Sequence, residues 1–548
     1  MESITVNVNG KNYLYPKGVS LLGVSKDFTE DFENEIIIGE LNGMLTELSK
    51  NVFEDCSLKF YDNMSPIGNL VYQNGVIFML IVAFKEILNT NIIINHSIDK
   101  GIYFETKKKI TESDLELVSN KMNELIKKNL PIEKTLVNRL EAIDYYKSLK
   151  EDDKVNILKY TTNTNINLYK LDGVYDYFFS YLPISTGYMK KFKLTYNDRN
   201  SFILTCPNIY SKTKKLSYNH HEKLFNEFKD YSDWTNKIGI RNISDINDKI
   251  SKGNFNDIIL LNETRQNNKL YKIAENISKN KNIKIVLISG PSSSGKTTTS
   301  RKLKLFLKSL GLSPVSISID DYFIDRDFNP KKQDGTYDFE SIKAVDTKLF
   351  NNNLSDLLNG KDVKLPTYNF ILGKKEFIND SIKLASNEII IIEGLHALNE
   401  ELTKSISSDY KYKIYLAPLT VLNIDNHNRF KTTDNRLLRR IVRDNRTRGY
   451  SASDTLSSWR SVREGEEKYV FPFQDSADVV FNTSLSYELN VLKTYVEPLL
   501  YSVLETDENY KDAVRLLNLL KNILPLPSDN IPKDSIIREF IGNSYFSD

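Results

Sequence analysis

Ile4, Val6 and Val8 alternate with polar neighbours, the spacing of a half-buried strand, and Asn9-Gly10 supplies a hairpin turn after them. A second turn at Pro16-Lys17-Gly18 precedes a helical stretch. Ile36-Ile37-Ile38 then predicts a strand that leads into a hairpin at Leu41-Asn42-Gly43-Met44. Residues 1–62 therefore predict a small β-rich unit with one helix. Over residues 63–240, helical spacing such as Val76 to Leu88 alternates with strand patterns such as Ile92-Ile93-Ile94 and Ser201 to Thr205, which predicts an α+β domain. The polar stretch from Ser244 to Asn282, broken at Ser251-Lys252-Gly253, predicts a linker helix across 241–280. At Ile283 a continuous apolar strand is followed by glycine, helix and strand, the order of a parallel α/β domain over 281–500. A helical C-terminal extension, 501–548, completes a multidomain α+β and α/β chain. No period of 20 to 50 residues is visible, which argues against a solenoid or propeller.

The strand from Ile283 to Ser289 runs directly into Gly290-Pro291-Ser292-Ser293-Ser294-Gly295-Lys296-Thr297. This G-x4-G-K-T order suits phosphate chemistry. The glycines let backbone N–H groups wrap phosphates, Lys296 neutralises β/γ charge, and the Thr297 hydroxyl can ligate Mg²⁺. With Thr298 behind them, these residues are expected to bind ATP at the positive end of the following helix. Leu303, Phe306, Leu307 and Leu310 carry that helix and Gly311 stops it. The next strand, Val315 to Ile319, ends in Asp320-Asp321, and the strand from Glu388 to Ile392 ends in Glu393-Gly394. Open α/β sheets place their sites at such carboxyl ends. Either aspartate could act on a hydroxyl beside a γ-phosphate, and Glu393 is expected to hold Mg²⁺ or its water. Six arginines fall between Arg436 and Arg448, and Arg436, Arg440 and Arg443 share one helix face. Beside a phosphate loop they predict a mobile cationic lid, with Gly449 as its flexible exit.

Composition narrows the setting. At roughly 150 residues per domain, 548 residues make about three or four domains. The 74 Lys+Arg against 72 Asp+Glu leave +2, so the chain as a whole is no polycation for nucleic acid. Cys56 and Cys206 alone permit neither a disulfide framework nor a cysteine zinc cluster, and five histidines argue against a histidine-rich metal centre. The opening MESITVNVNGKNY lacks the order of a secretory signal, and the most apolar run, Val76 to Phe84, is shorter than the ~20 residues that span a bilayer. A cytoplasmic protein without membrane contact is expected.

The order GPSSSGKTTTS, SISIDDYF, TYDFES, LPTYNF, IIIEGLHALN and RRIVRDNRTRG resembles the uridine kinase and phosphoribulokinase branch of P-loop kinases, across 281–500. The resemblance implies an ATP- and Mg²⁺-dependent kinase acting on the 5′-hydroxyl of a uridine-like nucleoside. It implies Asp320 as general base, with Lys296 and Arg443 as catalytic partners. Asp338 would hold ribose hydroxyls, Tyr368 and Phe323 would flank the nucleobase, and Arg440, Arg443 and Arg448 would belong to the lid. This chain has Ile371-Leu372-Gly373-Lys374 where uridine kinases carry a base-reading histidine, and Phe323 where they usually carry tyrosine. A sugar-phosphate acceptor therefore stays open. Residues 1–62, with IIIGELNGMLTELSK, resemble the ubiquitin-like β-grasp TGS domain of threonyl-tRNA synthetases, and 63–240 resemble their editing domain. That second likeness implies RNA binding through the amino-terminal domains, and a tRNA- or ribosome-binding regulator with an NTPase switch is the rival reading; a homo-oligomer is compatible with either. The editing-domain HxxxH pair falls on Asn74 and Phe78, so hydrolysis is expected to be lost. His96, His220 and His221 are expected to be structural or surface residues.

Overall fold

The computed structural model describes residues 2–546 except 211–215, 333–334, 370–371, 379, 386 and 421. Phe370 and Ile371 of the expected acceptor segment thus lie outside the described residues. The first sheet contains Ser3–Val8 (β1), Lys11–Pro16 (β2), Ile36–Leu41 (β3), Met44–Thr46 (β4) and Cys56–Asp62 (β5), in the order β2-β1-β5-β3-β4. Both expected hairpins form. Val8 pairs with Lys11 across Asn9-Gly10, and Leu41 pairs with Met44 across Asn42-Gly43. All four turn residues have positive φ, the backbone that a two-residue type I′ turn demands.

The helix Pro66–Leu88 (α1) begins where Ser65 accepts the Gly68 N–H, and it forms the centre of the next unit. Among the described residues it is the one helix long and apolar enough to cross a membrane, and most of its apolar stretch is buried inside the protein. The nine-residue run read from the sequence is thus the middle of a 23-residue helix. The chain continues through Ile92–Ile98 (β6), Gly101–Thr106 (β7), Glu112–Lys128 (α2), Glu133–Asn138 (β8), Asn165–Leu171 (β9), Val174–Asp176 (β10), Lys193–Asp198 (β11) and Ser201–Thr205 (β12). These strands make a four-stranded sheet, β11-β12-β7-β6, and a three-stranded one, β8-β9-β10. Phe84 of α1 stacks on Phe202 of β12 at 4.9 Å, and α1 and α2 bury their apolar faces in the same cluster.

Glu222–Lys237 (α3), Ile243–Ser251 (α4) and Asn256–Lys279 (α5) follow. The stretch expected to be a linker is instead part of the fold. Leu270, Ile273, Ala274 and Ile277 of α5 share one core with Ile285–Ser289 (β13) and Lys296–Ser309 (α6). The Lys/Asn-rich composition that suggested a linker belongs largely to the outer face of α5, while its buried face keeps helical spacing.

Ser313–Ser318 (β14), Glu388–Glu393 (β15), Lys411–Ala417 (β16) and Val479–Asn482 (β17) join β13 in a parallel sheet ordered β14-β15-β13-β16-β17. Because the order reverses beside β13, a crevice opens outside the carboxyl ends there. Thr432–Arg448 (α7), Ala452–Tyr469 (α8), Glu488–Tyr501 (α9) and Tyr510–Leu520 (α10) are the main helices of the rest of the chain. The boundary expected at residue 240 runs through a continuous core, in which Tyr146, Ile157 and Leu168 pack with Leu422, Ile441, Leu492 and Leu520. The segment after β16 also lies against β6: the Ile94 N–H donates to the Asn426 carbonyl at 2.9 Å. Fully buried Lys154 is held by Asp176 at 2.7 Å and Asp425 at 3.1 Å, and the His427 ring contacts Asp176 at 2.6 Å.

Candidate functional site

β13 ends at Ser289 and the chain turns through residues 290–295 into α6. Ser293 and Gly295 adopt φ of 58° and 82°, and Gly295 occupies the helix N-cap. A side chain at Gly295 would be strained and would also stand 2.7 Å from Ile536 Cγ2, so glycine is needed twice over. The Lys296 ammonium donates to the carbonyls of Gly290 at 3.0 Å and Pro291 at 3.1 Å, folding back across the loop. The first-turn N–H groups of α6 lack intrahelical acceptors, which makes this helix end an anion site. Burial lowers the Lys296 pKa, while the charges of Glu393, Asp320 and Glu539 pull it back up.

Thr297 Oγ1 lies 3.4 Å from Glu393 Oε1 at the end of β15. Burial pushes the Glu393 carboxyl up to about 7, so it ionises readily only beside a cation. No group of three or more His, Cys, Asp or Glu that could hold a metal occurs among the described residues. Magnesium, however, is characteristically held by one or two protein oxygens together with phosphate oxygens and water. Thr297 and Glu393 fit that role.

Asp320 stands at the end of β14 in a short 3-10 turn, open to the cleft. The protein around it raises its carboxyl pKa, and Lys296, Arg448 and Arg443 oppose the rise. Its neighbour Asp321 is engaged elsewhere, accepting the Tyr368 N–H at 3.2 Å. Local backbone geometry therefore separates the two carboxylates that the residue pattern by itself left equivalent. Asp338 accepts the Tyr469 hydroxyl at 3.1 Å. Phe323 and Tyr368 do come together, but edge to face, with centroids 5.8 Å apart and ring planes at 74°. A base between two rings needs about twice the ~3.5 Å carbon contact distance, so as they stand they form one wall and do not flank a slot.

The arginine segment departs from a mobile lid. α7 is anchored in the protein by Arg436 to Glu466 and by Arg439 to Glu488, all four buried. Such pairs are costly to break because each leaves a desolvated charge. The outward side carries the remaining cations. Arg440 donates to Ser292 Oγ at 2.8 Å, which places it on the phosphate loop. Arg440, Arg443 and Arg448 gather around buried Asp444 at 3.1, 2.7 and 3.7 Å. Gly449 ends α7 in a left-handed cap with φ 67°.

Two acidic residues escaped the sequence reading. Glu466 accepts the Ser292 N–H at 2.8 Å while pairing with Arg436 and Arg463, so one buried carboxylate ties α7 and α8 to the phosphate loop. Glu539, in the C-terminal extension, accepts the Thr298 N–H at 2.9 Å. Neither lies in a recognisable motif. The apolar pair Ile536 and Phe540, which buries the extension beside α6, was the one available signal. Asn74 lines a cavity on α1, whereas Phe78 is fully buried and packs edge to face on Phe178 at 5.3 Å. His96 is stacked at 4.0 Å on Phe228, and His221 pairs with Asp475 at 2.7 Å.

Comparison with known proteins divides the chain. Residues 285–488 match the Phosphoribulokinase / Uridine kinase family, which makes this part a P-loop kinase domain. Over the N-terminal region, the threonine-tRNA ligase of Ehrlichia canis (strain Jake) is 30% identical across 197 residues, 35% of this chain and 31% of that protein. The threonine-tRNA ligase of Francisella tularensis subsp. tularensis (strain FSC 198) is 28% identical across 184 residues, 33% and 29% respectively. The matched part thus spans about a third of these relatives' length. A solved structure of a possible uridine kinase from Bacillus stearothermophilus aligns over 36% of this chain and 89% of its own, at 18% identity and a TM-score of 0.25.

Proposed function

We propose, from a chain that joins a phosphoribulokinase/uridine kinase-type domain to a threonine-tRNA ligase-like N-terminal region, that this protein transfers the γ-phosphoryl group of ATP to the 5′-hydroxyl of a nucleoside. One observation carries the reading: Lys296, Thr297 and Glu393 meet at one end of the phosphate loop, with Asp320 electrostatically coupled to Lys296. In this scheme Asp320 accepts the acceptor hydroxyl proton. A carboxylate with a raised pKa is a stronger base than an ordinary one. Thr297 and Glu393 would hold a magnesium ion, which when bound would neutralise charge on the phosphates. Lys296 and Arg443 stabilise negative charge that builds on the transferring group, and Arg440 steadies the loop through Ser292. Asp338, bonded to Tyr469, is the ribose contact, and the Phe323–Tyr368 wall offers a face for the base.

A second reading keeps the kinase and changes the acceptor to a sugar phosphate, favoured by the closed edge-to-face packing of Phe323 on Tyr368. Phosphoryl transfer measured across nucleosides and pentose phosphates separates the two. Asp320→Asn should leave ATP binding nearly intact and suppress transfer by orders of magnitude, with a smaller effect for Asp321→Asn. Lys296→Ala should abolish transfer. Undiminished turnover in either the Asp320 or the Lys296 variant refutes the assignment. The cytoplasm is the proposed setting, and RNA recognition is the proposed task of the N-terminal region.

A further inference from the structure

One roomy cavity lies away from the phosphate loop. A cavity of about 590 Å³ separates α1 from the start of α7, with α8 and α10 closing it. Two smaller cavities, of about 60 and 190 Å³, also reach Arg429 and Lys431, so three spaces converge on this pair. Both side chains are half-buried, and neither has a hydrogen-bond or ion-pair partner among the described residues. The nearest carboxylate is already taken: Asp434 is held by Arg515 through two contacts of 3.1 and 2.9 Å. Arg463 is likewise neutralised by Glu466 and Glu467. Asp434 acts on both cations at a distance, and Asp99, Glu467, Glu508 and Asp512 also line the cavity, but none forms an ion pair with Arg429 or Lys431. Cations shielded from water without a contacting carboxylate are an expensive arrangement unless an anion joins them. The environment registers the cost, since burial and the charge of Arg429 press Lys431 down to about 7.

The backbone adds to the same field. Lys431 is the N-cap of α7 and its side chain offers no acceptor, so the amides of Thr432 and Thr433 precede the first intrahelical bonds, which Asp434 and Asn435 make to the Lys431 carbonyl. The walls are partly apolar, with Leu70, Leu456 and the ring of Trp459. The volume is that of a small-molecule site.

We propose that this cavity binds a small phosphate monoester, its phosphate held by Arg429 and Lys431 and its organic part against Trp459. The site goes beyond the phosphotransfer reading and does not rest on it. It also has a structural route to the cleft. α7 starts at the cavity and, over about 25 Å at 1.5 Å per residue, ends at the arginines that face Asp320 and Ser292.

Only two tryptophans occur, so Trp234→Phe in the full chain leaves Trp459 as sole reporter. Emission is followed on titration with adenosine 5′-monophosphate, inorganic phosphate and adenosine. The expected result is a saturable change with the monophosphate, competition by inorganic phosphate, and no response to adenosine. In Arg429→Gln/Lys431→Gln the apparent Kd should rise at least tenfold while the thermal midpoint does not fall, because these side chains support no partner and their unpaired charge is removed. In Lys296→Ala the response should persist, which separates this site from the ATP site and from the fate of the kinase reading. No response to either phosphate compound, an equal response to adenosine, an unchanged Kd in the double variant, or loss of the signal in Lys296→Ala overturns the proposal.

Discussion

Glu539→Gln is expected to tighten ATP binding. The Glu539 carboxylate accepts the Thr298 N–H at 2.9 Å, in the first turn of α6, where the phosphate loop presents its amides to nucleotide phosphate. A carboxylate there imitates the ligand and must yield to it. A hydrogen bond to a charged acceptor contributes about 1.5–3 kcal/mol, and a neutral one about 0.5–1.5 kcal/mol. The amide therefore weakens the competitor by about 1 kcal/mol, with Glu539 half-exposed and so toward the lower end. At 1.4 kcal/mol per factor of ten, the Kd for ATP should fall about fivefold. Isothermal titration with ATP reads this directly. If phosphotransfer is measurable, KM for ATP should fall with little change in kcat, since Glu539 touches an amide of the loop and not the transferring group. Truncation is the wrong test, because Ile536 and Phe540 belong to the core around β13 and their loss would damage the fold. An unchanged or weaker affinity for ATP in Glu539→Gln, with the protein folded, would show that the phosphates do not use the Thr298 amide.

Magnesium should stabilise the protein more as pH rises. Burial raises Glu393 from 4.5 to about 7, so the fold favours its protonated form, and that contribution is lost between about pH 4.5 and 7 as the carboxyl ionises. A bound cation offsets the loss. The Mg²⁺-dependent increase in Tm should therefore grow across this window and flatten in Glu393→Gln; a pH-independent increase counts against Glu393 as ligand. Glu466→Ala strands buried Arg436 and frees the Ser292 N–H, which should cost about 3–5 kcal/mol by urea unfolding; a loss below about 1 kcal/mol contradicts the anchoring described for α7. The full chain should release no amino acid from seryl-tRNA(Thr), because Phe78 can neither relay a proton nor bind a metal and is packed on Phe178. The shared core across residue 240 makes an isolated 1–240 fragment an unsound test, and deacylation by the intact protein would reverse this reading.

Local order was legible in the sequence wherever short-range physics suffices. The hairpins at Asn9-Gly10 and Asn42-Gly43, the strand leading into G-x4-G-K-T, the helix that Leu303 and Leu307 bury, and carboxylates at the ends of β14 and β15 depend on residue types a few positions apart. Tertiary structure decided what composition hides. α5 looked like a linker because its outer face is rich in lysine and asparagine, yet its inner face completes the core beside α6. Helical spacing grouped Arg436 with Arg440 and Arg443 on one face of α7. Packing against Glu466 and Glu488 turned Arg436 and Arg439 into buried anchors and left Arg440, Arg443 and Arg448 toward the cleft. Glu539 reaches the phosphate loop from 241 positions away, and Arg429 and Lys431 face a cavity whose opposite wall is a helix more than 340 residues earlier in the chain. Spacing in a sequence carries periodicity along one element; which charges lose their solvent, and which find no partner, is settled only when distant elements close on one another.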